Sequence, residues 1–198
     1  MSFMSNVIVA FIAYFINKTL GEFTFVKSPM IMINDLINFV EKKLYKNSVQ
    51  AGGLFVVIVL GIMSFISIVL TLYLSYFNTY VYIFVSSFVA SVFFSHVGLR
   101  VFLCEQETIT TFKEYTVKLK ENLVAPLLYI LLFGIAGIIL YKTIRSMDLV
   151  LKNKTGCYED FSKITFTINE IVDFVPKKIT FYLMSRKCKN RITRFNVL

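Results

Sequence analysis

The chain has 198 residues, of which 57% are hydrophobic and only 17% charged, with a mean hydropathy of +0.70. Soluble domains carry about 25% charged residues, and here the apolar residues fall in long uninterrupted blocks, so a water-soluble globule is excluded and an integral membrane protein implied. The formal net charge of +9 fits Lys and Arg flanking membrane segments. No nucleic-acid partner is expected, because no binding module is present and the aromatic residues lie mainly inside apolar runs.

The first apolar segment, near residues 3–17, ends at Asn17 and Lys18. It lacks a basic leading region and a small-residue cleavage site, which reads as a retained span rather than a signal peptide. Ser28-Pro29 then opens a helix expected over 29–46, with Ser28 as N-cap and Pro29 in the first turn. Ile33, Leu36, Ile37, Val40 and Leu44 form one apolar stripe, and Lys42, Lys43 and Lys46 gather at the C-terminal end. Such a helix either lies in the membrane interface or packs on its neighbours.

Residues 51–77 and 79–104 read as two long spans joined by the uncharged link Phe77-Asn78-Thr79, a transmembrane hairpin. At about 1.5 Å per residue each leg exceeds a hydrocarbon thickness of about 30 Å, implying tilt or protruding ends. His96, the only histidine, sits in the second leg without a carboxylate at helical spacing and reads as a neutral, hydrogen-bonded packing residue. Residues 105–122 are polar and weakly helical.

The segment 123–144 is apolar with Gly134 and Gly137 at its centre, and it runs directly into a patch that opens with Tyr141, Lys142, Arg145 and Asp148. The region 145–198 is basic and amphipathic: Phe161, Ile164, Ile168, Ile171, Val172 and Val175 mark a helix that Pro176 is expected to end. A basic tail follows, suited to anionic-lipid contact or to disorder. Cys104, Cys157 and Cys188 form no CxxC or Cys/His spacing, so neither a disulfide framework nor a zinc site is implied. No GxSxG, Walker A or GxGxxG motif is present.

These assignments set up a conflict of sidedness. The hairpin places the basic loops 18–50 and 105–122 on one side of the membrane. If 123–144 simply crossed, twelve basic residues from Lys142 onward would lie on the other side, against the positive-inside tendency. A re-entrant segment broken near Phe133-Gly134 removes the conflict, provided other protein covers the break. The expected fold is therefore all-α, one polytopic membrane domain over 1–198. It has about three to four membrane segments, one of them re-entrant or crossing, plus interfacial amphipathic helices.

The residues ENLVAPLLYILLFGIAGIILYK, followed by Asp148, Lys154, Tyr158, Phe161, Pro176, Lys178 and Thr180, resemble the CbiB/CobD family of cobalamin biosynthesis. That family's pattern reads roughly DGVVAPLFYxxxxGxxGxxxYKxxNTLDSMxGYKxxxYxxFG, then DDxxNxxPARLT. Upstream, LGEFTFVKSPMIMINDLINFVEKKLYK resembles LGDPxxxPHPVxLIGxLIxxLEKxLY. The polar positions depart more than the apolar ones. The family's His-Pro is Ser28-Pro29, its Gly-Asp is Gly21-Glu22, and its Asn-Thr-x-Asp-Ser-Met keeps only Asp148. Its Asp-Asp pair is Asn169-Glu170, its following Asn is Asp173, and the acidic stretch before Ala-Pro is reduced to Glu121-Asn122. The chain also stops about where the family pattern continues into a last span.

The resemblance implies adenosylcobinamide-phosphate synthase activity. In that step a propionate carboxylate of adenosylcobyric acid joins aminopropanol or its phosphate in an amide, with ATP and Mg2+. It implies Asp148, Lys142 and Glu121 as catalytic, with Asp148 also holding metal, and Tyr141, Lys154, Tyr158, Glu170, Lys178 and Ser28 as substrate-binding. Lysines would hold phosphate and a carboxylate would serve metal or base. It further implies a multi-pass protein of the plasma (inner) membrane, in contact with lipid, the corrinoid and possible partners among cobalamin-synthesis proteins. Whether the chain is an ATP-dependent amide-forming ligase stays open at this point. The alternatives are a non-catalytic accessory or scaffold of the same family and an AmpE-like sensory membrane protein.

Overall fold

A computed structural model of the chain describes residues 3–20, 29–93, 112–152, 154 and 158–195. Gly21, Glu22, Ser28, His96, Cys104 and Cys157, singled out above, lie outside the described residues. All regular structure among the described residues is helical: α1 (Phe3–Leu20), α2 (Pro29–Leu44), α3 (Val49–Phe77), α4 (Thr79–Phe93), α5 (Phe112–Leu119), a π-helical turn (Lys120–Val124), α6 (Ala125–Lys152) and α7 (Glu159–Phe195).

Two stretches, Val49–Tyr76 and Thr116–Lys152, are long and apolar enough to cross a membrane, and 4–16 and 79–93 are shorter apolar helices. Together they mark a membrane protein. Ser48 begins α3 as N-cap, its hydroxyl accepting from the Ala51 N–H at 3.3 Å. Within α3 the hydroxyls of Ser64, Ser67 and Thr71 donate to carbonyls three or four residues back, which satisfies them without water. Asn78, in an extended conformation, separates α3 from α4 at the expected hairpin link. On α1, the buried Val9, Ala10 and Ala13 are small enough to let α4 and α6 approach closely.

Helix α6 is the hub, packing on α1, α2, α3, α4 and α7. It is not one rod. Gly134 has φ 67° and ψ −150°, a combination open essentially to glycine alone, and the chain turns back there. The ring of Tyr129 stacks on that of Tyr141 with centroids 5.1 Å apart. Twelve residues of straight helix would hold them about 18 Å apart. The apolar segment near 123–144 is thus a folded-back hairpin broken at Gly134, not a single straight span, and other helices cover the break.

Helix α2 turns its stripe inward: Ile33, Ile37 and Val40 are buried, with Leu36 and Leu44 against the same core, on α3 and α6. Packing therefore accounts for that stripe, although Met32 and Phe39 remain exposed on the opposite face.

Helix α7 corrects two expectations. It does not end at Pro176 but continues through it to Phe195. Proline cannot supply the N–H that the Val172 carbonyl would receive in a regular helix. The Tyr129 hydroxyl of the hairpin donates to that carbonyl instead, at 2.8 Å. Tyr129→Phe should therefore cost about 1–3 kcal/mol by stranding a carbonyl, read as a lower thermal midpoint in detergent. Pro176→Ala in the same background should recover it by restoring the N–H. The second correction concerns the stripe: Phe161 is buried, and Ile164, Ile168 and Val172 pack on the core, but Ile171 and Val175 point outward.

Candidate functional site

The hairpin brings the two ends of the apolar segment together. Its first arm is preceded by the π-helical turn, an under-wound form frequent at functional sites, which carries Lys120 and Glu121. Its second arm ends in Tyr141, Lys142, Arg145, Asp148 and Lys152. Gly137 permits the close approach: a Cβ there would lie 2.4 Å from the Tyr129 carbonyl oxygen.

Arg145 is the centre of the resulting cluster. Its guanidinium pairs with the Glu121 carboxylate across the hairpin and, at 2.9 Å, with Asp148 Oδ2 one turn along the same arm. Lys152 Nζ donates to the same Asp148 oxygen at 2.8 Å. Lys142, itself buried, donates from Nζ to the Glu121 backbone carbonyl at 3.3 Å. Lys120 pairs with Asp173 of α7, and the Tyr141 hydroxyl donates to the other oxygen of that carboxylate at 3.4 Å. Asp148 is wholly buried and its Oδ1 carries no hydrogen bond; Asn169 Oδ1 and Thr165 Oγ1 of α7 are likewise buried without a partner.

This network borders a cavity of about 720 Å³, whose lining includes Lys120, Arg145, Lys152 and Lys177 with Glu170 and Asp173. Four cations and two carboxylates line it, and Lys120, Arg145 and Lys152 are themselves paired with Asp173, Glu121 and Asp148. Phe174 and Phe181 give it apolar wall as well. A second opening of about 820 Å³, lined among others by Lys154, Tyr158, Lys163 and Phe166, shares Lys152 and Glu170 with it.

Of the residues singled out from the sequence, Glu121, Tyr141, Lys142 and Asp148 come together in the cluster, and Glu170 lines both openings. Lys154 and Tyr158 meet elsewhere. Lys154 pairs with the buried Glu41 of α2 and sits 5.5 Å from the Tyr158 ring, which stacks on Tyr45. Lys178 lies 4.3 Å over the exposed Phe174 ring and does not line the cavity. Lys120, Lys152, Asn169, Asp173 and Lys177 were not among the candidates. The Lys120–Asp173 pair joins residues 53 apart in sequence, which local periodicity does not reveal. Among the described residues no three His, Cys, Asp or Glu side chains converge as a metal cage.

Comparison with known proteins places the chain. No protein-family profile matches it, and no solved structure matches it. Over 65 residues, 33% of this chain, it is 34% identical to a protein of Thermococcus kodakarensis named probable cobalamin biosynthesis protein CobD, covering 22% of that protein. A protein of the same name from Pyrococcus furiosus is 27% identical over 77 residues, covering 39% of this chain and 27% of the relative. A third, from Methanococcus maripaludis, is 24% identical over an alignment of 220 positions that takes in 91% of this chain and 72% of the relative. The first two matches thus span about a quarter of those relatives' length. The third runs nearly the length of the chain. The chain is thus similar to proteins named probable cobalamin biosynthesis protein CobD, at 34% identity over a third of its length and at 24% over nearly all of it.

Proposed function

We propose that this protein takes part in cobalamin biosynthesis, at the family's amide-forming step. There a propionate carboxylate of adenosylcobyric acid is joined to aminopropanol or its phosphate at the expense of ATP. One observation carries it. The hairpin gathers the motif residues Glu121, Tyr141, Lys142 and Asp148, with Arg145, into one buried network against a cavity in which Lys120, Arg145, Lys152 and Lys177 outnumber the acids.

The chain's own residues divide the work as follows. Lys120, Lys152 and Lys177 hold phosphate oxygens at the cavity wall, where preorganised cations stabilise charge that spreads in the transition state. Arg145, fixed from both sides by Glu121 and Asp148, keeps its orientation while ligands exchange. Asp148 Oδ1, buried and without a hydrogen bond, is the carboxylate oxygen we assign to Mg2+ or to an amine proton. Mg2+ uses one or two carboxylates plus substrate phosphates, so a single Asp148 with a bound nucleotide fits it. When bound, the metal would neutralise phosphate charge.

The fold also supports one sidedness. The Glu41–Lys154 pair and the Tyr45–Tyr158 stack tie the lysine-rich end of α2 to the start of α7. With the hairpin re-entrant, the basic loops and the region 145–198 share the cytoplasmic face of a multi-pass plasma-membrane protein, in keeping with the positive-inside tendency. A non-catalytic scaffold of the same family is the second reading, favoured by the commitment of Arg145 to two carboxylates.

Complementation separates the two. The wild-type chain should restore growth of a strain lacking the family enzyme when cobyric acid is supplied, and Lys142→Ala or Asp148→Ala should abolish it. A wild-type chain that fails at every expression level ends the enzymatic reading for this reaction.

A further inference from the structure

We propose that α7 from Ile171 onward lies in the membrane interface, held by an anionic lipid surface. It rests on the chain's being a membrane protein but not on the cobalamin step.

The polarity of this helix is inverted. Its buried side carries Asn169, Asp173 and Thr180, turned toward the hairpin and the cavity. Its outward side carries Ile171, Phe174, Val175 and Phe181, from 49% to 68% exposed. These positions recur at three- and four-residue steps and so fall on one face. Lys178 stands in the middle of that face, its ammonium 4.3 Å from the Phe174 ring centre, the posture of a side chain that keeps its charge at a polar boundary.

Charge names the occupant. After Asp173 the sequence has no acidic residue, while Lys177, Lys178, Arg186, Lys187, Lys189, Arg191 and Arg194 supply seven cations. Large apolar groups on one face beside a polybasic run suit an in-plane helix on an anionic leaflet. The acidic and basic residues of the first half of α7 exclude a spanning orientation. The outward side of α3 is also apolar, at Leu54, Val57, Phe65, Val69 and Leu72, as suits a helix facing lipid. An interfacial α7 would anchor the cavity wall formed by Phe174, Lys177 and Phe181 against the leaflet.

The chain contains no tryptophan, so a single reporter is unambiguous. Full-length Phe181→Trp would be reconstituted in phosphatidylcholine vesicles with and without phosphatidylglycerol, using lipids brominated near the carbonyl or near the methyl end of the acyl chain. Phe65→Trp on α3 serves as the control for the membrane reading. The expected result is quenching of the residue-181 reporter by the shallow bromines more than the deep ones. It should rise at least twofold with phosphatidylglycerol and lose that rise in Arg186→Gln/Lys187→Gln/Lys189→Gln. A residue-181 reporter unquenched in both lipids while the residue-65 reporter is quenched overturns the proposal. So does one that is unquenched but blue-shifted with rising protein concentration, which would assign the face to a second copy of the chain. If neither reporter is quenched, the membrane reading itself fails.

Discussion

Gly137→Ala should pry the hairpin open and abolish function, with a loss of roughly 3 kcal/mol, the upper end of the usual cost of overpacking. The added Cβ would stand 2.4 Å from the Tyr129 carbonyl oxygen and 2.7 Å from Phe133 Cβ. The nearer of these is backbone, so no side-chain rotation relieves the clash and the arms must part. Parting them breaks the Tyr129–Tyr141 stack and draws Glu121 away from Arg145 and Lys142. For a chain of this size that stability loss lowers the thermal midpoint by about 6–12 °C. Gly61→Ala is the matched control, because nothing lies within 4 Å of its Cβ position. It should be neutral or stabilising by up to about 1 kcal/mol, as alanine is preferred to glycine within a helix.

Arg145→Met should have the second large effect, and its logic is electrostatic. The Arg145 side chain is 14% exposed and that of Asp148 only 1%, so their pairing is shielded from water. Removing the guanidinium leaves Glu121 with Lys120, at 4.0 Å, and the neighbouring Lys142, and leaves Asp148 paired with Lys152. Breaking a buried pair from one side costs up to about 3–5 kcal/mol, and the lower figure applies here because Lys152 still compensates part of the Asp148 charge. Adding Asp148→Asn removes the under-compensated charge and should recover part of the thermal midpoint. Complementation should stay lost in both variants. If the single and double variants melt alike, Asp148 is not left under-compensated and Arg145 is not the hub.

The features legible in the sequence were those with local signatures. The break at Phe133-Gly134 was one of two alternatives the sequence left open, and the distribution of Lys and Arg on either side favoured it over a simple crossing. The start of α2 at Pro29, the Asn78 link and the approach of Tyr141, Lys142 and Asp148 to one site also follow from short-range patterns. What local pattern could not show was compensation from a distance. Pro176 reads as a helix end until Tyr129, 43 residues away among the paired positions, supplies the missing donor to Val172. The apolar stripe of α7 reads as core throughout, yet its second half turns outward because the buried side of the helix is given to Asn169, Asp173 and Thr180. Lys120 and Asp173 look like unrelated surface charges until the hairpin folds back and makes them neighbours.

The folded-back hairpin is the claim on which the site depends, and one distance tests it. Val117 and Leu149 are both partly exposed, so spin labels at Val117→Cys and Leu149→Cys are tolerable once the three native cysteines are replaced by serine. Thirty-two residues of continuous helix would separate them by about 48 Å. Double electron–electron resonance on the full-length chain in lipid should instead give a distance below about 25 Å, because the hairpin sets the two arms side by side at the spacing of packed helices. A distribution centred above about 40 Å would contradict the hairpin, and with it the site built on Glu121, Arg145 and Asp148.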